Sequence, residues 1–551
     1  MKTQQRLLVL GLMMAGCGQL VPGFSRFQLI NQTPYAITYY AVAHSEKQVR
    51  NAKNLLDAAL PSGGVSSAPV AGMGTYWLRA IADVDGTPTE KIAGPVWIAN
   101  GHVGWAWRLV DGAIQAGTKA QDVFAQTDLP AVVIDSFGQT IPDEPKVPAL
   151  LHVTNDPLGG LHTPLGQPVD YRGVGAIELR GYSTQAFAKQ SFGFETRDEE
   201  GHDQDASILG LPEEEDWVLY GPYMDRSLMR TVLGYSLYAG MGWYAPRTRF
   251  CEVYLKDYPA GHIEETYHGV YVLTEKLKRD AHRVDIAALD ETAVVEPAIS
   301  GGYLLELHGA EQQDPGERVF PVAGDFLLSI KYPKPEKITG LQFAWIRRYV
   351  GDFEAALFGP DFTDPGHGYA AYIDVASFVD YILLQDFLKN RDAFRASVFL
   401  YKDRQEKLCL GPIWDLNIAM GYYSFSGFQD PTGWFLQSPY RKLPHSPWTD
   451  RLFEDPAFAQ RYRQRWDELR QGLLSTASLN QRIDGYAAHL ATAQVRNFIR
   501  WNSLGRTLFP RIDLLMYMGP HPDSYAGEVQ LLKDWMAQRA EWMDGHIDEL
   551  L

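Results

Sequence analysis

The sequence predicts an α+β fold, with a β-rich first half, a helical second half and a small β-rich accessory domain in front. Three observations carry this reading. Short runs of β-branched and aromatic residues, parted by Gly, Pro and Asn, fill the chain from Phe24 to about Asp128. Further strand-like runs follow from Leu129 to Leu307. From Gln342 onward, apolar residues recur at helical spacing instead. The expected division is a leader over 1–16, an accessory domain over 17–128, a core over 129–430 and a helical remainder of that core over 431–551.

The leader carries Lys2 and Arg6 ahead of an apolar run, Leu7 to Met14, that is too short to span a bilayer as a helix. Met14-Ala15-Gly16-Cys17 resembles a bacterial lipobox. The resemblance implies cleavage before Cys17, lipidation of its thiol and attachment to a membrane of the cell envelope. Gly18, rather than Asp, points to the outer membrane in a two-membrane cell. A plain secretory signal, or a cytosolic apolar start, is the alternative.

In the accessory domain, Phe27 to Ile30 and Ile37 to Val42 read as strands around the turn residues Asn31 to Pro34. A helix is expected from Glu46 to Leu60, closed by Pro61-Ser62-Gly63-Gly64. Thr75 to Ile81, Gly94 to Ile98 and Gly104 to Trp107 read as further strands. Trp97, Trp105 and Trp107 suit a sandwich core or a carbohydrate-stacking platform.

The core opens with strands at Leu129 to Asp135 and Val147 to Val153. Two more flank Gly181, in the stretch Gly173 to Glu195. Leu228 to Met241 has a helical pattern. Phe250 to Leu255 pairs with Gly269 to Leu273 as an expected antiparallel hairpin, and Gly302 to Leu307 is another strand. Helices are expected at Pro456 to Leu474, Leu479 to Arg496 and Gly527 to Leu551.

A formal charge of −17 leaves no basic face for a nucleic-acid backbone, and nucleic acid is excluded as a partner. Apart from Cys17 the only cysteines are Cys251 and Cys409, so a disulfide framework is excluded and a thiolate zinc site needs other ligands. Both lie in apolar strand-like runs and read as small buried hydrophobes. Whether they form one bridge is left open. A monomer is expected.

The chain is organised around Asp374 to Gly421. Asp374 stands at an N-cap position, and Val375, Phe378, Val379, Ile382, Leu383 and Phe387 follow at helical spacing. The polar cluster Lys389-Asn390-Arg391-Asp392 ends that helix. A hairpin follows (Ser397 to Tyr401, then Leu408 to Leu410), and Gly411-Pro412 delivers Ile413-Trp414-Asp415-Leu416-Asn417. Two carboxylates, Asp392 and Asp415, thus stand on loops set by one helix and one hairpin. One suits proton abstraction from an alcohol; the other, with Asn417, suits a hard cation.

This stretch resembles the CotH kinase family of atypical secreted and spore-coat protein kinases. So, in order, do Leu179-Arg180-Gly181-Tyr182-Ser183-Thr184 with Lys189-Gln190-Ser191, Tyr223 to Arg230, Gly269 to Lys276 and Gly301 to Glu306. The resemblance spans Pro130 to roughly Ser424. It implies a two-lobed kinase-like core that transfers phosphate from ATP to Ser or Thr hydroxyls of a protein, with Mg²⁺ or Mn²⁺.

On that resemblance, Asp415 is the metal-binding aspartate and Asn417 completes its coordination. Asp392 is the catalytic-loop acid; as a helix C-terminal residue it would otherwise oppose the helix dipole. Ser397 stands where related loops often carry asparagine. Lys189, read as lying on a strand with Phe187 and Ser191 on its face, is the phosphate-pairing lysine. Arg180 either contacts phosphate or pairs within the sheet. Glu275 and Glu306 are candidate partners for Lys189 or members of ion pairs elsewhere. Trp414 either stacks on adenine or fills core. Asp225 is read as a helix cap. No glycine-rich phosphate cradle is present.

Two other readings stay open at this point. One is a catalytically silent cell-surface binding lipoprotein. The other is a hydrolase built on the carboxylate pair, which requires neither Lys189 nor the Trp-Asp-Leu-Asn context.

Overall fold

The computed structural model describes residues 24–550 except 33–36, 44–45, 57–64, 72–73, 85–86, 99–101, 111–112, 117–123, 182–183, 259–263, 310–312, 314–315, 423–428, 436–445 and 507–521. The lipobox stretch with Cys17, and Tyr182, Ser183 and Ser424, lie outside these residues, as do the side chains of Trp97, Trp105 and Trp107. Helix and sheet are both extensive, as an α+β fold requires.

Among the described residues the first seven strands pair with one another. They are β1 (Phe24–Gln32), β2 (Ile37–Ala43), β3 (Val65–Ala71), β4 (Gly74–Val84), β5 (Thr87–Ile98), β6 (His102–Val110) and β7 (Ala113–Ala116). They form a four-stranded sheet, β3-β1-β6-β7, and a three-stranded sheet, β2-β4-β5. The helix expected to reach Leu60 is only Glu46–Arg50 (α1). Asn54 supplies the reason. Its side-chain oxygen accepts the backbone N–H groups of Tyr40 (2.9 Å) and Leu56 (3.1 Å). That oxygen offers the backbone an alternative to the helical ladder.

Strands β8 (Ala131–Asp135), β9 (Val147–Thr154), β10 (Val169–Arg180), β11 (Ser191–Thr196), β12 (Asp216–Tyr220), β13 (Thr248–Asp257) and β14 (Glu264–Glu275) close into a barrel. Its order is β10-β11-β12-β14-β13-β8-β9, so β13 and β14 are neighbours, as expected. A closed barrel removes the exposed edges an open sheet would carry. A second sheet, β16-β17-β15-β18-β19, joins β15 (Tyr303–Gly309), β16 (Val319–Val322), β17 (Phe326–Tyr332), β18 (Val398–Lys402) and β19 (Leu408–Leu410).

The longer helices are α2 (Arg230–Gly240), α3 (Gly340–Phe358), α4 (Val375–Leu388), α6 (Pro456–Arg470), α7 (Thr476–His489), α8 (Ala493–Trp501) and α9 (Tyr525–His546), with the short α5 at Trp448–Leu452. Among the described residues no helix is long and apolar enough to cross a membrane.

By contacts the chain falls into two units. The first holds residues 1–210, 250–271 and 490–503; the second holds 211–249, 272–489 and 504–551. The single helix expected over Leu479 to Arg496 is broken between α7 and α8, and the contacts of α8 give the reason. α8 belongs to the first unit, where Arg496 meets the buried Glu252 at 2.8 Å and Asp128 at 2.9 Å. Arg500 donates to the carbonyl of Tyr267, and Trp501 to that of His268. A helical period in sequence carries no sign of such tertiary demands.

Candidate active site

Helix α4 begins as its sequence dictates: the Asp374 side chain accepts the Ser377 N–H at 2.8 Å. From Ser377 to Leu388 every residue is buried. The helix ends at Lys389 in the left-handed conformation, φ 45°, without a glycine. Phe394, Ser397, Asp415 and Met420 also have positive φ. With Gln405 in the turn between β18 and β19, six non-glycine residues between Lys389 and Met420 adopt that conformation and mark a locally costly backbone, at about 1–3 kcal/mol each where it is strained. Such cost is retained where geometry serves function.

The loop after α4 closes on itself through Ala396 N–H to Asp392 O (3.0 Å) and Ala393 N–H to Asn390 O (3.1 Å). The Asp392 carboxylate lies 3.4 Å from Arg391 Nη1 and 3.8 Å from Arg395 Nη1. Burial pushes its pKa up from the ordinary carboxylate value, against the opposing pull of Arg391 and Arg395. Asp392 is half-buried, and a carboxyl with a raised pKa is the state in which a carboxylate works as a base near neutral pH.

The second carboxylate is tied to the first loop. Asn390, 1 % exposed, donates from Nδ2 to the Asp415 carbonyl (3.3 Å) and accepts the Asp392 N–H (3.4 Å). Met420 N–H donates to the Leu388 carbonyl at 2.7 Å. Asp392 and Asp415 are therefore brought together through one buried amide. The residues after Asp415 offer a further donor atom: Asn417 Oδ1 is buried with no hydrogen-bond partner among the described residues. An orphaned amide oxygen two residues from a carboxylate is what an oxygen-liganded hard cation requires. A carboxylate and an amide oxygen are donors of the kind a hard divalent cation takes.

Helix α2 packs on this loop at close range. A Cβ added to Gly234 would stand 2.1 Å from Leu416 Cδ1. Tyr235 stacks on Trp414 with ring centroids 6.0 Å apart, and the Arg230 guanidinium lies 5.1 Å from the centre of the Tyr422 ring. Asp225 accepts the backbone N–H of Arg230 (2.8 Å) and of Ser227 (3.0 Å), and pairs with the Arg230 side chain. The expected cap is corrected: the N-cap of α2 is Met229, with no side-chain cap, and Asp225 stands four residues before it, holding the first helical N–H from outside the helix. Tyr220 feels both carboxylates: burial raises its pKa, and the charges of Asp225 and Asp415 add to that. Trp414 packs against the cluster of Val284, Ile286, Leu304 and Phe399. The structure thus gives it core contacts.

Gly421 closes the loop at φ +74°, and a Cβ there would fall 2.4 Å from Trp535 Cδ1. Gly421→Ala should therefore combine backbone strain with displacement of a buried ring. The expected loss is about 1–3 kcal/mol, read as a lower urea midpoint at unchanged slope. A midpoint equal to wild type would show that the loop accommodates a side chain.

One sequence expectation about the phosphate-pairing residues is corrected. Lys189 is not on a strand; it sits in the turn between a 3₁₀ segment at Thr184–Ala186 and β11, which begins at Ser191. It is 1 % exposed, donates from Nζ to the Val270 carbonyl and to Asn497 Oδ1 (2.8 Å), and lies 5.0 Å from the centre of the Tyr271 ring. These contacts join β14 and α8 within the first unit. Neither candidate glutamate is shown paired with it. Glu275 is fully buried and held by Arg247 at 2.7 Å and by the Tyr244 hydroxyl at 3.1 Å. Glu306 pairs with Lys331 at 3.1 Å. Arg180 ends β10 opposite Ser191 of β11. Cys251 is buried, Cys409 is half-buried, and neither forms a disulfide among the described residues.

Asn390 was not singled out by sequence, although it sits inside the polar cluster after α4. Its signal is a short amide placed directly behind an apolar helix, next to the acid. Lys389 likewise goes unmarked by residue type alone.

Among known families, the model described as CotH kinase protein matches residues 177–543. The match begins later than Pro130 and runs on through most of α9, so the C-terminal helices are part of the matched region. No curated protein matches the chain.

Proposed function

The chain belongs to the CotH kinase family, and we propose that it is an atypical protein kinase using ATP and Mg²⁺ or Mn²⁺ to phosphorylate Ser or Thr hydroxyls of a protein. The observation that carries this is the linking of Asp392 and Asp415 through Asn390, with the buried, unpartnered Asn417 oxygen two residues after Asp415. Asp415 and Asn417 would hold the cation, which when bound neutralises charge on the phosphates. Asp392 accepts the proton of the acceptor hydroxyl as its oxygen forms a bond to the γ-phosphorus. The bond from that phosphorus to the β–γ bridging oxygen breaks, and ADP leaves with the electron pair. Arg391 and Arg395 hold the Asp392 carboxylate in place and favour its charged form before it takes the proton. Part of the same reading is a two-lobed, kinase-like division of the core, supported by the order of β-rich and helical halves. Calorimetry with ATP and either cation tests the proposal; a wild type that binds no nucleotide sinks it.

One observation favours a second reading. Lys189, which the family resemblance would aim at phosphates, is buried and hydrogen-bonded within its own unit. A silent, surface-displayed binding lipoprotein would keep the fold with the lysine in that role. The same calorimetry separates the two.

Envelope attachment through Cys17, with residues 17–128 as an accessory domain, completes the proposal. Wild type should fractionate with membranes and carry acyl mass on Cys17, while Cys17→Ala should be soluble and unlipidated. A soluble wild type with an intact Met1 would count against anchoring.

A further inference from the structure

The segment from Gln429 to Phe435 is held by its main chain and by the buried ring of Trp434, which meets Trp542 at 4.9 Å between ring centroids. Trp535 Nε1 donates to the Gln429 carbonyl (2.7 Å), and Lys389 Nζ donates to those of Asp430 (2.7 Å) and Thr432 (2.8 Å). Arg539 takes the carbonyls of Pro431 (3.0 Å) and Gly433 (2.7 Å). Phe435 N–H donates to Asp386 Oδ1 at 2.9 Å. Successive carbonyls from 429 to 433 thus face buried side chains, while Asp430 and Thr432 are exposed. At its far end, the Phe435 ring lies 5.6 Å from that of Phe394. The segment therefore runs along the Asp392 loop, from Lys389 at its entrance to Phe394 beyond the acid.

Two of the three donors to those carbonyls, Trp535 and Arg539, come from α9. Lys389 alone belongs to the loop that carries Asp392. It is an expensive choice: burial, with Arg539 nearby, brings its pKa down to about 8 despite the favourable charges of Asp386 and Asp430. A methionine would fill the same space without the desolvation penalty. A costly local choice beside a reacting group points to function.

We propose that Lys389 is a positioning residue for the acceptor: it holds the Asp430–Thr432 main chain as a wall along the Asp392 loop, against which the acceptor polypeptide lies. This rests on the kinase reading above. Lys389 touches neither nucleotide nor hydroxyl; it acts by fixing the surface that presents the hydroxyl to Asp392.

The test uses the full chain, ATP·Mg²⁺ and dephosphorylated casein as the probe acceptor. Lys389→Met should raise the KM for casein by about tenfold or more, while ATP affinity and ATP hydrolysis by water stay within about twofold of wild type. Lys389→Arg, which can donate to the same two carbonyls, should restore the KM. Retained ATP affinity certifies that the Met variant is folded. An unmoved casein KM in an active Lys389→Met overturns this role alone, as does equal impairment of the Met and Arg variants. ATP affinity falling in step with the KM would place Lys389 with the nucleotide and overturn it too. A wild type that neither binds ATP nor transfers phosphate overturns the kinase reading, and this role with it.

Discussion

Asp415→Asn should abolish metal-dependent ATP binding and phosphoryl transfer together. Asp415 has φ 56°, a conformation that asparagine adopts more readily than other non-glycine residues, so the substitution leaves the backbone in place. Its carbonyl still accepts the Asn390 amide, because that contact is to main chain. What is lost is the one anionic oxygen of the proposed ligand pair, leaving two neutral amides where a divalent cation needs charge. Transfer should fall by about 10³-fold or more, the scale of removing a group that stabilises charge on a transferred phosphoryl. Calorimetry should show ATP affinity that no longer responds to Mg²⁺ or Mn²⁺. If Asp415→Asn binds ATP·metal as wild type does, the cation is held elsewhere and the assignment fails. Lys189→Met discriminates further. In this structure Lys189 joins β14 and α8, so its loss should lower the stability of the first unit rather than mimic Asp415→Asn.

How much of this was legible in the sequence depends on how local the determinants are. The α4 helix, its Asp374 cap and the β18–β19 hairpin follow from spacing and turn residues within a few positions, and they stand where the sequence puts them. The two carboxylates inherit their places from those elements, so both were readable as a pair. The same local logic misplaced Lys189. Phe187, Lys189 and Ser191 alternate as strand residues do, but β11 begins only at Ser191. The turn before it is set by Val270 and Asn497, far along the chain. Closure of the barrel and the break between α7 and α8 are equally non-local. Asn390 shows the opposite limit: it is adjacent to Asp392, yet its value lies in reaching a residue of another loop. Spacing shows which residues share a face; it does not show which main-chain group a buried amide will find.

Asp392→Asn should separate the two carboxylates by role and at the same time stabilise the protein. As the base, Asp392 acts on the acceptor hydroxyl, so its loss should leave ATP·metal affinity nearly unchanged and lower transfer by about 10²–10⁴-fold. Asparagine keeps the backbone N–H that donates to Asn390 and therefore the link to Asp415. The acid limb of the wild-type rate profile should lie above the ordinary carboxylate range, because burial raises the Asp392 pKa, and it should vanish in the variant. The sign for stability follows from the same shift. The folded-state pKa lies above the unfolded value, so the contribution to stability is full below the unfolded pKa and is lost as pH rises through the folded one. At higher pH the ionised carboxylate is a net cost, only partly offset by Arg391 and Arg395. Asp392→Asn should therefore have a higher thermal midpoint than wild type above that pKa, and the difference should shrink toward zero or reverse in acid. A variant both inactive and less stable at every pH would make Asp392 a structural anchor for its two arginines. One that loses nucleotide while Asp415→Asn keeps it would exchange the roles of the two acids.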